Sequence, residues 1–433
     1  MVKTQMAPKN PPPFPGKIAY LTGDYPKVSH TFILREVESL RASGLRVITC
    51  SIRKPAASEF KGEEEQRALA ETFYVIEAAR NLFRVLAAHT SLISRSGTRW
   101  FAALHLAFKT RPPGLKALIW QLFYFVEAGV LGRHLQVSNV THLHNHFGNS
   151  SCSVAMLCSA LTGIPFSFTE HGPAIFFEAE RWALKEKTAR ARFVVAISHF
   201  CRSQLMLFSE PAHWQKITIV HCGVDPAGYG KQQRTAFFKR VVFVGRLDPV
   251  KGASLLVEAM AQVLARHPDA HLTLVGDGPA RALAEAKVKA LGMAGSVTFA
   301  GFQSQSAIAA TLEEADMLVL PSFAEGVPVV LMEAMASRIP VIASRVAGVQ
   351  ELVEDGVSGF VIPPGDVATL ADRIIRLMED PALSARMGLA GRRMVEREFD
   401  IAAEGAWLAE VFRNGGAAGR LRPESNRPTA PHG

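Results

Sequence analysis

The sequence predicts an α/β protein of two similar halves, each a doubly wound parallel sheet covered by helices. Three observations predict it. Short runs rich in Val, Ile and Phe alternate with segments of helical period, which is the strand–helix–strand pattern of a parallel sheet. The alternation runs twice, broken once after Asp225 by a polar stretch holding Gly228, Gly230, Lys231, Gln232 and Gln233. At 433 residues, with 48% hydrophobic and 20% charged residues, the chain has room for two or three domains, and its composition excludes a disordered or collagen-like protein.

Residues 1–15 are Pro-rich and polar, and are expected to be a disordered lead. KIAYLTG (Lys17–Gly23) reads as the first strand, DYPKVSH as a loop, TFILREVESLRASG as a helix stopped by Gly44, and LRVITCSI as the second strand. The region 80–136 reads as helical from its apolar spacing. Strands return at Thr141–Phe147, Ile164–Gly172, Ala191–Ser198 and Lys216–Asp225, completing a domain over 16–226. A second domain, 227–413, opens with RVVFVGRLDPVKG (Arg240–Gly252) and continues through strands at His271–Pro279, Ser296–Phe302, Asp316–Ser322, Pro340–Ser344 and Gly359–Asp366. Between them, segments such as GASLLVEAMAQVLARH carry the i, i+3, i+4 period of amphipathic helices. Residues 414–433 are rich in Gly, Pro and Arg and are expected to be disordered.

The net charge of +9 is concentrated. Region 80–136 holds Arg80, Arg84, Arg95, Arg99, Lys109, Arg111, Lys116 and Arg133 against the single acid Glu127, interleaved with Phe83, Trp100, Phe101, Phe108, Trp120, Phe123, Tyr124 and Phe125. Such interleaving suits an anionic membrane surface, where apolar side chains dip in and cations meet phosphates. The same pattern also fits helices with aromatics in the core and arginines in water; nucleic acid is not the expected partner. Cys50, Cys152, Cys158, Cys201 and Cys222 are scattered and form no CxxC pair, which argues against a disulfide framework and a structural zinc site. His142, His144 and His146 alternate on one strand face, but no carboxylate or cysteine lies near in sequence, so no metal is expected there. The first residues lack the apolar core of a signal peptide. No stretch is expected to span a bilayer, because Ala117–Gly132 is interrupted by Gln121 and Glu127. The reading is a reduced, cytoplasmic protein, with a peripheral place on the inner face of the plasma membrane as the option the basic segment opens.

The segment Pro321–Ser344, PSFAEGVPVVLMEAMASRIPVIAS, carries the chemistry. It begins where a buried strand ends, and open α/β sheets bind ligands at the carboxyl ends of their strands. A helix starting near Pro328 exposes backbone N–H groups at its positive end, a ready anion site. Glu325 and Glu333, eight positions apart, can flank a ligand whose phosphates sit at that helix start and whose hydroxyls face the carboxylates. A nucleotide sugar has that shape.

The Glu325–Glu333 pattern resembles the E-x7-E signature of retaining glycosyltransferase family 4. VGRLDPVKG, LVGDGP, VTFAGF, LPSFAEGVPVVLMEAMA, PVIAS and AGVQELVEDGVSGFVIPPGD are similar to that family's donor-binding half. The resemblance spans about Lys17 to Phe412. YPKVSHTFILREVESLRASG, HNHFG and FSFTEHG resemble the branch that builds exopolysaccharide and colanic-acid-type chains, although that branch more often has SETF where SHTF (Ser29–Phe32) stands here, and an Asp after the TEHG-like turn.

The resemblance implies the GT-B fold, two facing Rossmann-like domains with the active site between them. It implies a metal-independent, retaining transfer of a hexose from a UDP- or GDP-sugar to a glycan acceptor, lipid-linked where polysaccharide is built on lipid carriers. No cofactor is implied. Arg246 and Lys251 would clamp the departing diphosphate, beside Gly245. Gly276 and Gly278 would turn tightly beside the nucleotide, and Phe302 and Gln303 would line the base. Glu325 would touch the sugar hydroxyls and Glu333 the ribose. Gly326, Val327, Val329, Val330 and Leu331 would cradle sugar and phosphates through the main chain. His171 would sit near the reacting carbon. Ser29, His30, Thr31, Asn145 and His146 would line the acceptor side. A sugar-nucleotide 2-epimerase and a non-catalytic nucleotide-sugar-binding scaffold remain the alternatives.

Overall fold

A computed structural model describes residues 16–27, 30–56, 62–231 and 236–416. The expected lead 1–15 and most of the expected tail, 417–433, lie outside the described residues, as does part of the interdomain stretch. The first sheet holds β1 (Lys17–Asp24), β2 (Arg46–Arg53), β3 (Phe73–Tyr74), β4 (Val140–His146), β5 (Phe166–Glu170), β6 (Val194–Ala196) and β7 (Ile217–Ile219), in the order 3-2-1-4-5-6-7. The second holds β8 (Arg240–Val244), β9 (His271–Val275), β10 (Val297–Gly301), β11 (Met317–Leu320), β12 (Val341–Ser344) and β13 (Gly359–Ile362), in the order 10-9-8-11-12-13. Each pairing given for these strands is parallel. The strands are buried almost throughout, because helices cover both faces.

Strand order reverses between β1 and β4 in the first lobe and between β8 and β11 in the second. A crevice opens at each such switch point, outside the carboxyl ends of the strands. The loops that leave β8 and β11 carry Arg246, Lys251 and Glu325; those that leave β1, β4 and β5 carry His30, Phe147 and His171.

In the sheets and at the last helix, three expectations change. The edge strand β3 was not read in the sequence, since two residues show no period. The strand expected over Lys216–Asp225 is only Ile217–Ile219. Beyond it the chain leaves the sheet: His221 N–H donates to Glu404 (2.7 Å), Val224 N–H to the Phe399 carbonyl (3.0 Å), and Ile401 N–H to the Val224 carbonyl (3.0 Å). A side chain at Gly223 would come within 2.7 Å of the Ile401 backbone, so this crossing needs glycine. The last helix, Ile401–Arg413, then packs on the first lobe rather than completing the 227–413 domain: Leu408, Ala409, Val411 and Phe412 share a core with Ile18, Tyr20, Ile33, Val37 and Phe193.

Region 80–136 forms three helices, Leu82–Arg95, Gly97–Lys109 and Leu115–Val137. Asn81 and Ser96 cap the first two by accepting from the N–H groups of Arg84 and Arg99. The expectation that nothing here is long and apolar enough to span a bilayer is corrected: by length and composition Leu115–Val137 is, with 23 residues and a mean hydropathy of 1.3 over an 18-residue window. Its second half, through Ala128, Leu131 and Leu135, is nevertheless core.

Candidate active site

On the second lobe, Lys251 Nζ and Ser322 Oγ both donate to Glu325 Oε1, each at 2.7 Å. Glu325 is 8% exposed, so a mostly buried carboxylate is neutralised by the lysine the sequence placed beside it. Arg246 shares the loop with Lys251 but reaches outward, 70% exposed, with Nε 3.8 Å from Asp248. Among the described residues no closer contact holds its guanidinium, which leaves the group available to an anion.

Gly276 and Gly278 have positive φ, and a Cβ on them would strike the carbonyl oxygens of Gly245 (1.9 Å) and Leu247 (2.5 Å). They are glycine so that the loop after β9 can run against the loop after β8, with Leu247 N–H donating to the Asp277 carbonyl and Gly245 N–H to that of Val275. Helix Val329–Ala336 starts at Pro328, and the first-turn N–H groups of Val329 and Val330 lack intrahelical acceptors there. Val327 and Leu331 are buried, so only their main chains can face a ligand.

Glu333, on that helix, is not open. Arg35 (2.9 Å), Tyr229 (3.1 Å) and Gln305 (2.6 Å) all donate to its Oε1. Arg35 comes from the first lobe, and its second terminal nitrogen is buried without a hydrogen-bond partner among the described residues. Sequence reasoning missed all three. Gln303, the expected base-lining residue, has its amide turned onto the Ala300 carbonyl (2.8 Å) and Phe302 is 61% exposed; the glutamine that reaches the site is Gln305, two positions on. Tyr229 lay in the stretch read as a linker, and Arg35 in the helix after the expected acceptor residues.

On the first lobe His171 is buried, its ring packed against both Phe32 and Phe147, each with its centroid 4.7 Å away. His171 Nε2 lies 2.7 Å from His146 Nδ1, and His146 Nε2 lies 3.2 Å from Glu36 Oε1. Burial first, then the imidazoles of His146 and His30, hold His171 well below the usual histidine range. His30 borders the same pocket against Phe147, and burial pushes it down to about 4. Thr31 opens its helix beside it. Ser29 lies outside the described residues. Asn145, expected on the acceptor side, is buried, and its amide donates to the carbonyls of His146 and Phe147, holding the positive-φ turn at Phe147.

Glu36, His144 and His146 bring ligand-type atoms within 4.8 Å of one another. Both ring nitrogens of His144 lie at hydrogen-bond distance from the hydroxyls of Ser167 (2.7 Å) and Thr169 (2.9 Å), whereas His146 Nε2 has no hydrogen-bond partner among the described residues. Beneath it, Glu170 accepts from the N–H groups of Gly148, His171 and Gly172, and burial pushes its pKa up to about 7. Those bonds tie the loops after β4 and β5 together.

The lobes meet along this seam. A Cβ on Gly326 would fall 2.0 Å from the His171 carbonyl oxygen. The N–H groups of His199 and Phe200, at the start of helix His199–Leu207, both donate to Glu351 from the opposite lobe (2.7 and 2.8 Å). Together with Arg35 on Glu333, these contacts bring the two switch-point crevices face to face.

Two family models match the halves separately: residues 31–227 match Glycosyltransferase Family 4, and residues 231–394 match Glycosyl transferases group 1. Among curated proteins, the chain is 36% identical over 173 residues to an alpha-D-kanosaminyltransferase of Streptomyces kanamyceticus, covering 40% of this chain and 45% of that one. It is 32% identical over 232 residues to the amylovoran biosynthesis glycosyltransferase AmsK of Erwinia amylovora, covering 52% and 56%. The chain thus spans about half the length of these curated relatives. Among solved structures, Anabaena HepE in complex with UDP superposes with a TM-score of 0.68 at 18% identity, over 92% of this chain and all of that one. A sucrose-phosphate synthase of Thermosynechococcus elongatus superposes with a TM-score of 0.72 at 21% identity, over 92% and 98%. The two facing parallel-sheet lobes are the GT-B fold expected from the sequence.

Proposed function

The chain belongs to the family 4 glycosyltransferases, and from that premise we propose that it moves a hexose from a UDP- or GDP-sugar to a lipid-linked glycan, with retention of anomeric configuration, in building an exopolysaccharide or other cell-surface polysaccharide. The observation that carries this reading is the Lys251–Glu325 pair, with the exposed guanidinium of Arg246 on the same loop as Lys251, set against His171 across the interlobe seam. In the proposal, Arg246, Lys251 and the start of helix Val329–Ala336 take the diphosphate and offset the charge that develops as it leaves, with no metal required. Glu325 positions the sugar hydroxyls, and Glu333 exchanges its present donors for the ribose. Glu170, the acid next to His171, has its carboxylate bound by three backbone N–H groups, which disfavours a covalent nucleophile from that strand. The route is then front-face: the leaving phosphate accepts the acceptor hydroxyl's proton, and lobe closure excludes water. The amylovoran biosynthesis named for AmsK and the UDP bound by HepE fit this substrate class.

The test is incubation with UDP- and GDP-sugars in the presence of EDTA, with and without a short-chain lipid-linked glycan. Glycan extension with retained configuration is the expected result. An isomerised donor would point to an epimerase, and binding without turnover to a scaffold; either overturns the reading.

The lipid-linked part rests on the outer face of the first lobe. Phe83 (84% exposed), Phe101 and Leu115 stand in water beside exposed Arg80, Arg84 and Lys116. Arg99, His105, Lys109 and Arg190 line a hollow of about 370 Å³ on the same lobe. A bilayer with anionic headgroups satisfies both the apolar and the basic groups. Binding to vesicles containing anionic lipid is expected at low salt, weakening steeply as salt rises to about 0.5 M. Phe83→Glu combined with Leu115→Glu should abolish it while leaving transfer to a water-soluble acceptor intact. No binding at low salt would refute the membrane role.

A further inference from the structure

The carboxylate expected to hold the donor's ribose is closed off. Glu333 is 4% exposed, and Arg35, Tyr229 and Gln305 all donate to one of its oxygens, Oε1, at 2.9, 3.1 and 2.6 Å. A carboxylate oxygen has two lone pairs, so three donors already exceed what Oε1 can serve well. A ribose diol binds a carboxylate best with one hydroxyl on each oxygen, and here it meets an Oε1 that is fully taken. At least one donor has to leave first.

The three donors are not equally held. Tyr229 is fixed to the second lobe, where its carbonyl accepts from Arg392 Nη1 (3.1 Å). Burial, then the Glu333 charge, push its hydroxyl up to about 12, so it keeps its proton and stays a donor. Gln305 opens helix Gln305–Glu314 of the same lobe, and its amide bonds the Tyr229 hydroxyl (3.0 Å) as well as Glu333. Of the three, Arg35 alone comes from the first lobe, on helix Thr31–Ala42. Its Nη2 serves both Glu333 and the Tyr229 hydroxyl (3.1 Å), while Nη1 is buried without a hydrogen-bond partner among the described residues. A guanidinium can fork onto a carboxylate through two nitrogens; here one nitrogen does the holding, at the end of a long flexible side chain. Parting the lobes, or turning that side chain, removes Arg35 and leaves the other two donors in place.

We propose that Arg35 is a gate on the donor site: its guanidinium and the ribose diol of a nucleoside diphosphate compete for Glu333, so that the nucleotide is held there only once Arg35 lets go. The proposal rests on the glycosyl-transfer reading, which gives Glu333 the ribose. Because the gate belongs to the opposite lobe, one ion pair couples nucleotide binding to the interlobe seam. Whatever draws Arg35 away loosens the seam and opens the ribose site together.

The test is calorimetric titration of the full chain with UDP and with GDP. Arg35→Met keeps the stem of the side chain and removes the guanidinium. It should tighten binding of the nucleotide by about 10-fold or more, because a competent form populated at about 10% or less lowers affinity by that factor. On a Glu333→Ala background the same change should give no gain, since there is nothing left to compete for. The 2′,3′-dideoxy form of the nucleotide makes no demand on Glu333 and should bind the native protein and Arg35→Met alike. Unchanged or weaker nucleotide binding by folded Arg35→Met, or an equal gain with the dideoxy form, would overturn the proposal. Where Arg35→Met does not fold, Arg35→Lys, which keeps the charge on a shorter side chain, should tighten binding in the same direction, and unchanged affinity there is equally fatal. Nucleotide that binds the native protein without a gain in the variant sinks the gate alone; nucleotide that binds neither sinks the donor reading with it.

Discussion

Replacing Arg246 and Lys251 together by alanine is expected to lower kcat by at least about 10³-fold, since each removed donor to developing negative charge costs about 10²–10³. The two residues contribute differently. Arg246 is exposed and weakly held, so Arg246→Ala should leave stability nearly unchanged. Lys251 is the ion-pair partner of a carboxylate that is 8% exposed, and its removal leaves Glu325 with the Ser322 hydroxyl. Breaking such a pair from one side can cost about 3–5 kcal/mol. The informative form of the experiment therefore adds Glu325→Gln to Lys251→Ala as a folding control, and follows denaturant midpoints beside single-turnover rates. Near-normal transfer by a folded Arg246→Ala/Lys251→Ala protein would remove the phosphate clamp from the mechanism.

The second large effect comes from one methyl group. Gly326→Ala would put a Cβ 2.0 Å from the His171 carbonyl oxygen and 3.1 Å from Ile197 Cδ1, both in the opposite lobe. The clash lies between lobes, so each lobe should fold as before while the seam opens. A displacement of about 1 Å at a reacting centre is enough to cost 10²-fold. A loss of that size in kcat/KM is expected, with little change in melting temperature and a larger radius of gyration in solution. An alanine variant with native compactness and native turnover would mean that the lobes need not meet at this point during catalysis.

Much of this was readable in the residues. The strand–helix alternation of each lobe is a local property, set by side-chain period, and it located the loops at both switch points. It put Lys251 and Glu325 on neighbouring loops, where the fold joins them. Glycines at 276 and 278 were recognised as special, but their reason is the backing of one loop onto another. The hold of the Asn145 amide on the turn at Phe147 is not readable in the sequence, because a polar residue at a strand end looks alike whether it faces the cleft or its own backbone. Gln303 and Gln305 are likewise indistinguishable until the turn after β10 shows which one points at Glu333.

By itself the sequence determined the two parallel-sheet lobes and the placing of a cation–carboxylate pair at the carboxyl ends of the second lobe's strands, because hydrophobic period and strand-end position act over a few residues. Only the tertiary structure decided that Arg35 closes on Glu333 across 298 positions, that the last helix returns to the first lobe, and that His146 and His171 meet ring nitrogen to ring nitrogen. Those contacts depend on how two finished lobes meet and on which buried polar groups must then satisfy one another, and no local pattern records that.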